Sequence, residues 1–301
     1  MDNSNKRVLV FGATGYIGQQ VVKELVKRNF QVVAVTRRKL EKKEFEGAEV
    51  RIADVENLES LKKEVFRDKI NVVVSCLAAR TPLPEEFYKI DYLATLNILH
   101  AAQENVTDHF ILLSAICVRW PKIPLQHAKL KMEDALMISG MDYTIVRPTA
   151  YYRDLLRQFP NIRNGSSAYV FGTGEYALYN PIAKEDLAEF IVNSVEEPRH
   201  RNRVYPIGGP EVPENIITYK RLMEMSFEAL GREPKIKSIP LWILPPMIAL
   251  ITFIGFLIPK VRLAAEVIRV LHYYLTNDLR APGYGQKTVK NHLEMLAASN
   301  E

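Results

Sequence analysis

Three glycines at a spacing of three, Gly12, Gly15 and Gly18, follow the apolar run Val8–Phe11 and open the helical pattern Tyr16–Asn29. The first glycine permits a tight turn, the second lets backbone approach a pyrophosphate, and the third lets the helix pack closely on the strand. A helix N-terminus then offers N–H groups and partial positive charge to the phosphates. The spacing predicts a bound dinucleotide touching Gly12, Thr14, Gly15, Tyr16, Ile17 and Gly18. The second apolar run, Gln31–Thr36, ends at Arg37 and Arg38. A site selective for NAD places Asp or Glu there to hold the ribose 2′-hydroxyl. Two guanidiniums suit a 2′-phosphate through charge-assisted hydrogen bonds, so NADPH is the expected cofactor. The competing reading is a solvated basic loop, since Lys39, Lys42 and Lys43 follow. Asp54, after the run Glu49–Ala53, is placed to meet the adenine amino group or to cap the helix beyond Val55. Leu77 and Ala78 follow the run Asn71–Cys76, where small residues let the cofactor lie close.

The elements that must position these residues alternate through the first half. Strand-like runs (Val8–Phe11, Gln31–Thr36, Glu49–Ala53, Asn71–Cys76, His109–Ser114, Asp142–Arg147) are separated by helical patterns at 16–29, 58–66, 86–105 and 126–139. That rhythm predicts an α/β fold, a Rossmann-type doubly wound parallel sheet. The valines Val72, Val73 and Val74 fit a strand covered on both faces. After Pro148 the rhythm breaks. The expected organisation is a dinucleotide-binding domain over 1–150 and a smaller substrate-side region over 151–301, interwoven with the sheet. That second region is expected to hold helices near Lys184 and Tyr219–Leu230 and a strand at Val204–Ile207.

The 301 residues are 48% apolar and 25% charged, which suits a globular chain with a buried core. A net charge of +5, with no dense basic run, suits a phosphorylated cofactor, an anionic ligand or an anionic membrane surface and argues against nucleic acid. Cys76 and Cys117 show neither CxxC spacing nor a metal-ligand cluster, so buried thiols and no metal are expected. The few polar residues before the first strand leave no room for a targeting peptide in the chain as given. Ser238–Pro259 carries no charged residue. Pro245 and Pro246 break a continuous helix, and Pro246 suits a first helical turn, which leaves Met247–Ile258 as the uninterrupted part, about 18 Å long and short of a ~30 Å hydrocarbon core. A helix packed on the core or lining an apolar pocket, a peripheral membrane contact through 239–259 and a true span are the three readings.

Ser114 closing the fifth strand, Lys129 with Glu133 four residues on, and the run Tyr143–Pro148 join the glycine spacing in resembling the short-chain dehydrogenase/reductase superfamily, in an atypical NmrA-like form. More closely, the chain resembles the 8-vinyl reductases of divinyl chlorophyllide. The matching stretches are Cys76–Thr81, Ile90–Asn97, His109–Val118, Ala128–Glu133, Ile145–Ala150, Asn202–Pro210 and the tail Ala281–Gly285, spread over nearly the whole chain. The resemblance implies NADPH-dependent reduction of the 8-vinyl group of divinyl chlorophyllide or protochlorophyllide to ethyl in chlorophyll biosynthesis. The substrate would be a tetrapyrrole, and the setting cytoplasmic or peripheral to a photosynthetic membrane.

One departure from the superfamily bears on chemistry. Its usual Tyr-x-x-x-Lys pattern keeps the lysine as Lys129 but has Leu125 at the phenol's place. An alkyl side chain cannot protonate a carbonyl oxygen, which disfavours ordinary carbonyl chemistry. Lys129 is expected to hold the nicotinamide ribose and supply positive charge; direct proton donation and a solvated lysine on an amphipathic helix are the alternatives. Ser114 either contacts the nicotinamide side or simply closes its strand. Tyr151 and Tyr152 follow the sixth strand; either one of them stacks on the macrocycle or relays a proton, or they simply pack. Asp91, Asn97 and Arg147 read as structural. A non-catalytic NADPH-binding regulator or membrane-complex assembly factor, and a reductase of another lipophilic substrate, are the alternatives.

Overall fold

The computed structural model describes residues 3–39 and 45–299; Lys42 and Lys43 lie outside them. The chain divides into two compact units, one of Met1–Arg147 with Leu187–Tyr205 and one of Pro148–Asp186 with Pro206–Glu301.

The first unit is built on strands β1 (Arg7–Phe11), β2 (Gln31–Thr36), β3 (Glu49–Ile52), β4 (Val72–Ser75), β5 (His109–Leu113) and β6 (Tyr143–Pro148). They form a seven-stranded sheet in the order β3-β2-β1-β4-β5-β6, with the strand Arg203–Ile207 beside β6. The pairs β1–β2, β1–β4, β2–β3, β4–β5 and β5–β6 are all parallel. The order reverses between β1 and β4, the switch point outside whose carboxyl ends ligands bind in such sheets. Strands β1, β4 and β5 are buried almost throughout, which is why their sequences are continuous apolar runs rather than alternating ones. Leu9, Phe11, Val33, Val73, Ile98, Phe110 and Met132 belong to one core cluster with the flanking helices. The long helical pattern expected over 86–105 is present as three consecutive segments, Pro84–Glu86, Phe87–Ala94 and Thr95–Glu104, the middle one more widely wound.

The second unit is held by buried amides. Asn180 donates to the carbonyls of Gly209 (3.1 Å) and Ala281 (2.7 Å) and accepts from the Ala281 N–H (3.1 Å). Asn215 donates to Pro181 O and accepts from the Val289 N–H. A Cβ at Gly209 would lie 2.1 Å from Pro181 O, so only glycine fits there. Satisfying every polar atom in this way makes these side chains cheap to bury. The unit also contains short pairs the sequence did not announce: Ala168–Phe171 parallel to Ile236–Ile239, and Leu178–Tyr179 antiparallel to Ile217–Thr218.

The apolar segment forms a helix over Leu244–Leu257, with Pro245 and Pro246 inside its first turn. Proline tolerates first-turn positions, where its missing N–H costs nothing, and Pro245 joins Pro246 there. A second helix, Pro259–Thr276, follows directly. Among the described residues no helix is long and apolar enough to cross a membrane. Nor is the first of the pair a core helix: Leu250, Phe253 and Phe256 are exposed, Phe256 by 87%.

Candidate functional site

The glycine turn leaves β1 and abuts the end of β4. Gly12 has φ +70°, and a Cβ on it would lie 2.5 Å from the Cys76 carbonyl oxygen. Strand pairing brings the two ends together: Phe11 is in register with Ser75, and the Cys76 N–H donates to Phe11 O at 3.0 Å. The turn closes by a Gly15 N–H bond to Gly12 O at 2.8 Å, and the helix Gly18–Lys27 starts at once. Thr14 and Gly15 are exposed and Tyr16 is half-buried, whereas the Ile17 side chain is buried. Ile17 therefore seats the helix through its side chain and offers a ligand only its backbone.

Arg37 and Arg38 are exposed at the end of β2, and neither has an ion pair among the described residues. The buried Thr36 hydroxyl donates to Arg38 O (2.8 Å), fixing the bend that presents them. Asp54 is exposed, and its Oδ1 accepts from the Glu56 N–H (3.0 Å). It does not cap the next helix. Asn57 does, accepting from the Ser60 N–H at 3.1 Å. Leu77 is half-buried against the core, and Ala78 is exposed.

Lys129 lies on the helix Pro124–Met137, and its Nζ is 2.9 Å from Asp91 Oδ1. The lysine side chain is 11% exposed and the aspartate 1%. Asp91 Oδ2 accepts the Ala79 N–H at 3.0 Å. One carboxylate thus ties the lysine to the loop that follows β4, the same loop that Gly12 touches. Burial pulls the Lys129 pKa down, but the charge and hydrogen bond of Asp91 outweigh it, so the ammonium titrates above its ordinary value. Burial pushes the Cys76 thiol up to about 12, with Lys129 opposing, so Cys76 is a neutral thiol at neutral pH.

Ser114 is buried, and its hydroxyl donates to Glu133 Oε1. Glu133, fully buried, also takes two bonds from Arg147 Nε at 3.1 and 3.2 Å and one from Nη2. Arg147 thus neutralises a buried carboxylate that holds the serine. Leu125 is half-buried one helical turn before Lys129. Tyr151 belongs to the second unit, half-buried, and caps the short helix Tyr152–Leu155 with backbone only. A cavity of about 520 Å³ in that unit is lined by Arg163, Phe227, Arg232 and Lys235, and no candidate site residue lines it.

The structure therefore gathers Gly12, Leu77, Ala78 and Lys129 through Cys76, Ala79 and Asp91. Asp91, structural by its place in the sequence, is thus part of the site. A carboxylate inside the apolar helical pattern Phe87–Ala94 was the available signal, because such a group is buried only with a charged or hydrogen-bonding partner.

A parallel sheet with a glycine turn at its switch point and a held lysine beside it defines a nicotinamide-dinucleotide protein of the Rossmann class. The NAD(P)H-binding family matches residues 12–198. A chloroplastic divinyl chlorophyllide a 8-vinyl-reductase from Arabidopsis thaliana is 38% identical over 94% of this chain and 75% of its own. A photosystem II assembly factor, Ycf39 of Synechocystis, is 26% identical over 93% of this chain and 85% of its own. A nucleoside-diphosphate-sugar epimerase from Staphylococcus aureus shares the fold, with a TM-score of 0.72 at 19% identity over 96% of this chain and 99% of that one. The chain belongs to the family of divinyl chlorophyllide a 8-vinyl-reductases.

Proposed function

We propose that this protein reduces the 8-vinyl group of divinyl chlorophyllide, or of its protochlorophyllide counterpart, to ethyl at the expense of NADPH. The observation that carries the reading is similarity to vinyl reductases at 34–38% identity over 94–97% of the chain. Leu125 agrees with it, since the position lacks the phenol that carbonyl reduction requires.

In this reading the turn Gly12–Gly18 holds the pyrophosphate, Arg37 and Arg38 pair with the 2′-phosphate, and Asp54 meets the adenine. Leu77 and Ala78 border the cofactor. The bound cofactor supplies the hydride. Lys129, kept charged by Asp91, holds the nicotinamide ribose and sets a positive potential beside the reacting carbons, where preorganised charge contributes without reorganisation. Ser114 acts as a positioning residue, held through Glu133 and Arg147. Tyr151 is proposed to meet the macrocycle. We place the protein at the periphery of a photosynthetic membrane, in contact through 239–259.

Purified protein with NADPH and divinyl chlorophyllide is expected to give the monovinyl product, followed by absorbance and chromatography. Cofactor binding without product would favour the second reading, an assembly factor, for which the exposed apolar face of Leu244–Leu257 is the supporting feature.

A further inference from the structure

We infer that the loop Ala115–Ile123 is the subsite for a planar, carboxylate-bearing macrocycle, with Trp120 as its stacking face and Arg119 as the partner of its carboxylate. This rests on the reaction proposed above. The loop starts one residue after Ser114, at the carboxyl end of β5, and ends where the helix of Leu125 and Lys129 begins. It lies on the rim of the sheet where ligands of this architecture bind.

The base of the loop is fixed. Ile116, Cys117, Val118 and Ile123 are buried. Gln126, wholly buried, donates to Cys117 O at 2.8 Å and accepts from the N–H groups of Ile123 (2.9 Å) and Lys122 (2.5 Å). On this pinned base Trp120 stands 53% exposed. Arg119 beside it is exposed and has no ion pair among the described residues. A large apolar ring held in water by an ordered loop is a preformed contact surface, because stacking on it costs little conformational entropy. The adjacent guanidinium gives that surface a preference for an anion and a geometry suited to a carboxylate. A chlorophyllide combines a flat conjugated ring with a free carboxylate, which is the chemistry this pair recognises.

The test uses the full chain. In the Trp242→Phe background Trp120 is the sole tryptophan, and titration with divinyl chlorophyllide is expected to quench its emission saturably. In steady-state assays Trp120→Ala is expected to raise KM for the macrocycle about tenfold, with kcat changed less than threefold and KM for NADPH unmoved. Trp120→Phe should recover most of that loss. Arg119→Gln should raise KM severalfold and flatten its dependence on salt. Unchanged KM in Trp120→Ala, or a joint fall of kcat and NADPH affinity, would overturn the subsite. Normal turnover with neither quenching nor a KM response removes the subsite and leaves the reaction standing. Saturable quenching of Trp120 without any turnover removes the reaction and leaves the subsite.

Discussion

At Lys129 two effects oppose each other. Burial disfavours the ammonium, and Asp91 restores it. The charge this lysine contributes below its raised pKa is lost only as pH climbs through that value. Lys129→Met is expected to lower kcat about 100-fold, the scale of one lost electrostatic contact to the reacting centre. In Asp91→Asn the opposing partner is gone, so burial wins and the ammonium titrates lower. The pH–rate profile of that variant should acquire an alkaline limb at lower pH than the wild type's; an unshifted limb would remove Asp91 from the account. At the other end of the cofactor, Arg37→Ala with Arg38→Ala should raise KM for NADPH about 10- to 100-fold, the equivalent of one or two charge-assisted hydrogen bonds, and leave KM for NADH nearly unchanged. An unaltered NADPH/NADH preference would mean that both arginines are only solvated. The glycine turn was legible because its signal is local: three glycines, a strand before and a helix after. The Lys129–Asp91 pair was not, because a contact between residues 38 positions apart leaves no spacing pattern.

Among the elements, the helix pair Leu244–Leu257 and Pro259–Thr276 is the least like a soluble surface. Trp242, Leu250, Phe253, Phe256, Ile258, Leu263, Val267 and Leu271 are all exposed on it or just before it. Between Pro240 and Thr276 the charged residues are Lys260, Arg262, Glu266 and Arg269, an excess of base. An apolar face with basic flanks is what an interfacial element needs, burying rings at the headgroup boundary and pairing cations with anionic lipid. The protein is expected to float with phosphatidylglycerol vesicles, and Phe253→Ser with Phe256→Ser to weaken that binding at least tenfold, since each ring returned to water forfeits roughly 1.5–3 kcal/mol. Wild-type protein that stays with the soluble fraction would end the membrane assignment. The sequence showed a charge-free stretch, yet it could not distinguish a core helix from an exposed one, because a uniformly apolar helix has no polar face to orient it. The central first-unit strands were legible for the opposite reason: β1, β2, β4 and β5 are four- to six-residue, largely apolar runs, most of them set off by helical patterns. The two-residue pairs around Tyr179 and Thr218 are too short to show a period, and their partners lie far off in the chain.

Across the whole molecule, the chain leaves the first unit at Arg147 and returns to it over Leu187–Tyr205. The returning segment is held by one backbone bond, the Asn202 N–H donating to Tyr143 O at 2.6 Å, and by one ion pair, the Arg28 guanidinium meeting Glu196 at 2.7 Å. Only the tertiary partners specify that return, so the linear pattern after Pro148 gave a helix near Lys184 and a strand near Val204 without their destination. The proposed reaction comes down to a single chemical event, transfer of hydride from the cofactor bound at Gly12–Gly18 to a vinyl carbon. The direct measurement is turnover of divinyl chlorophyllide with NADPH deuterated at both C4 positions, followed by mass spectrometry of the product. A monovinyl product carrying one deuterium in its new ethyl group is expected. An unlabelled ethyl product, or tight NADPH binding with no product, would contradict it.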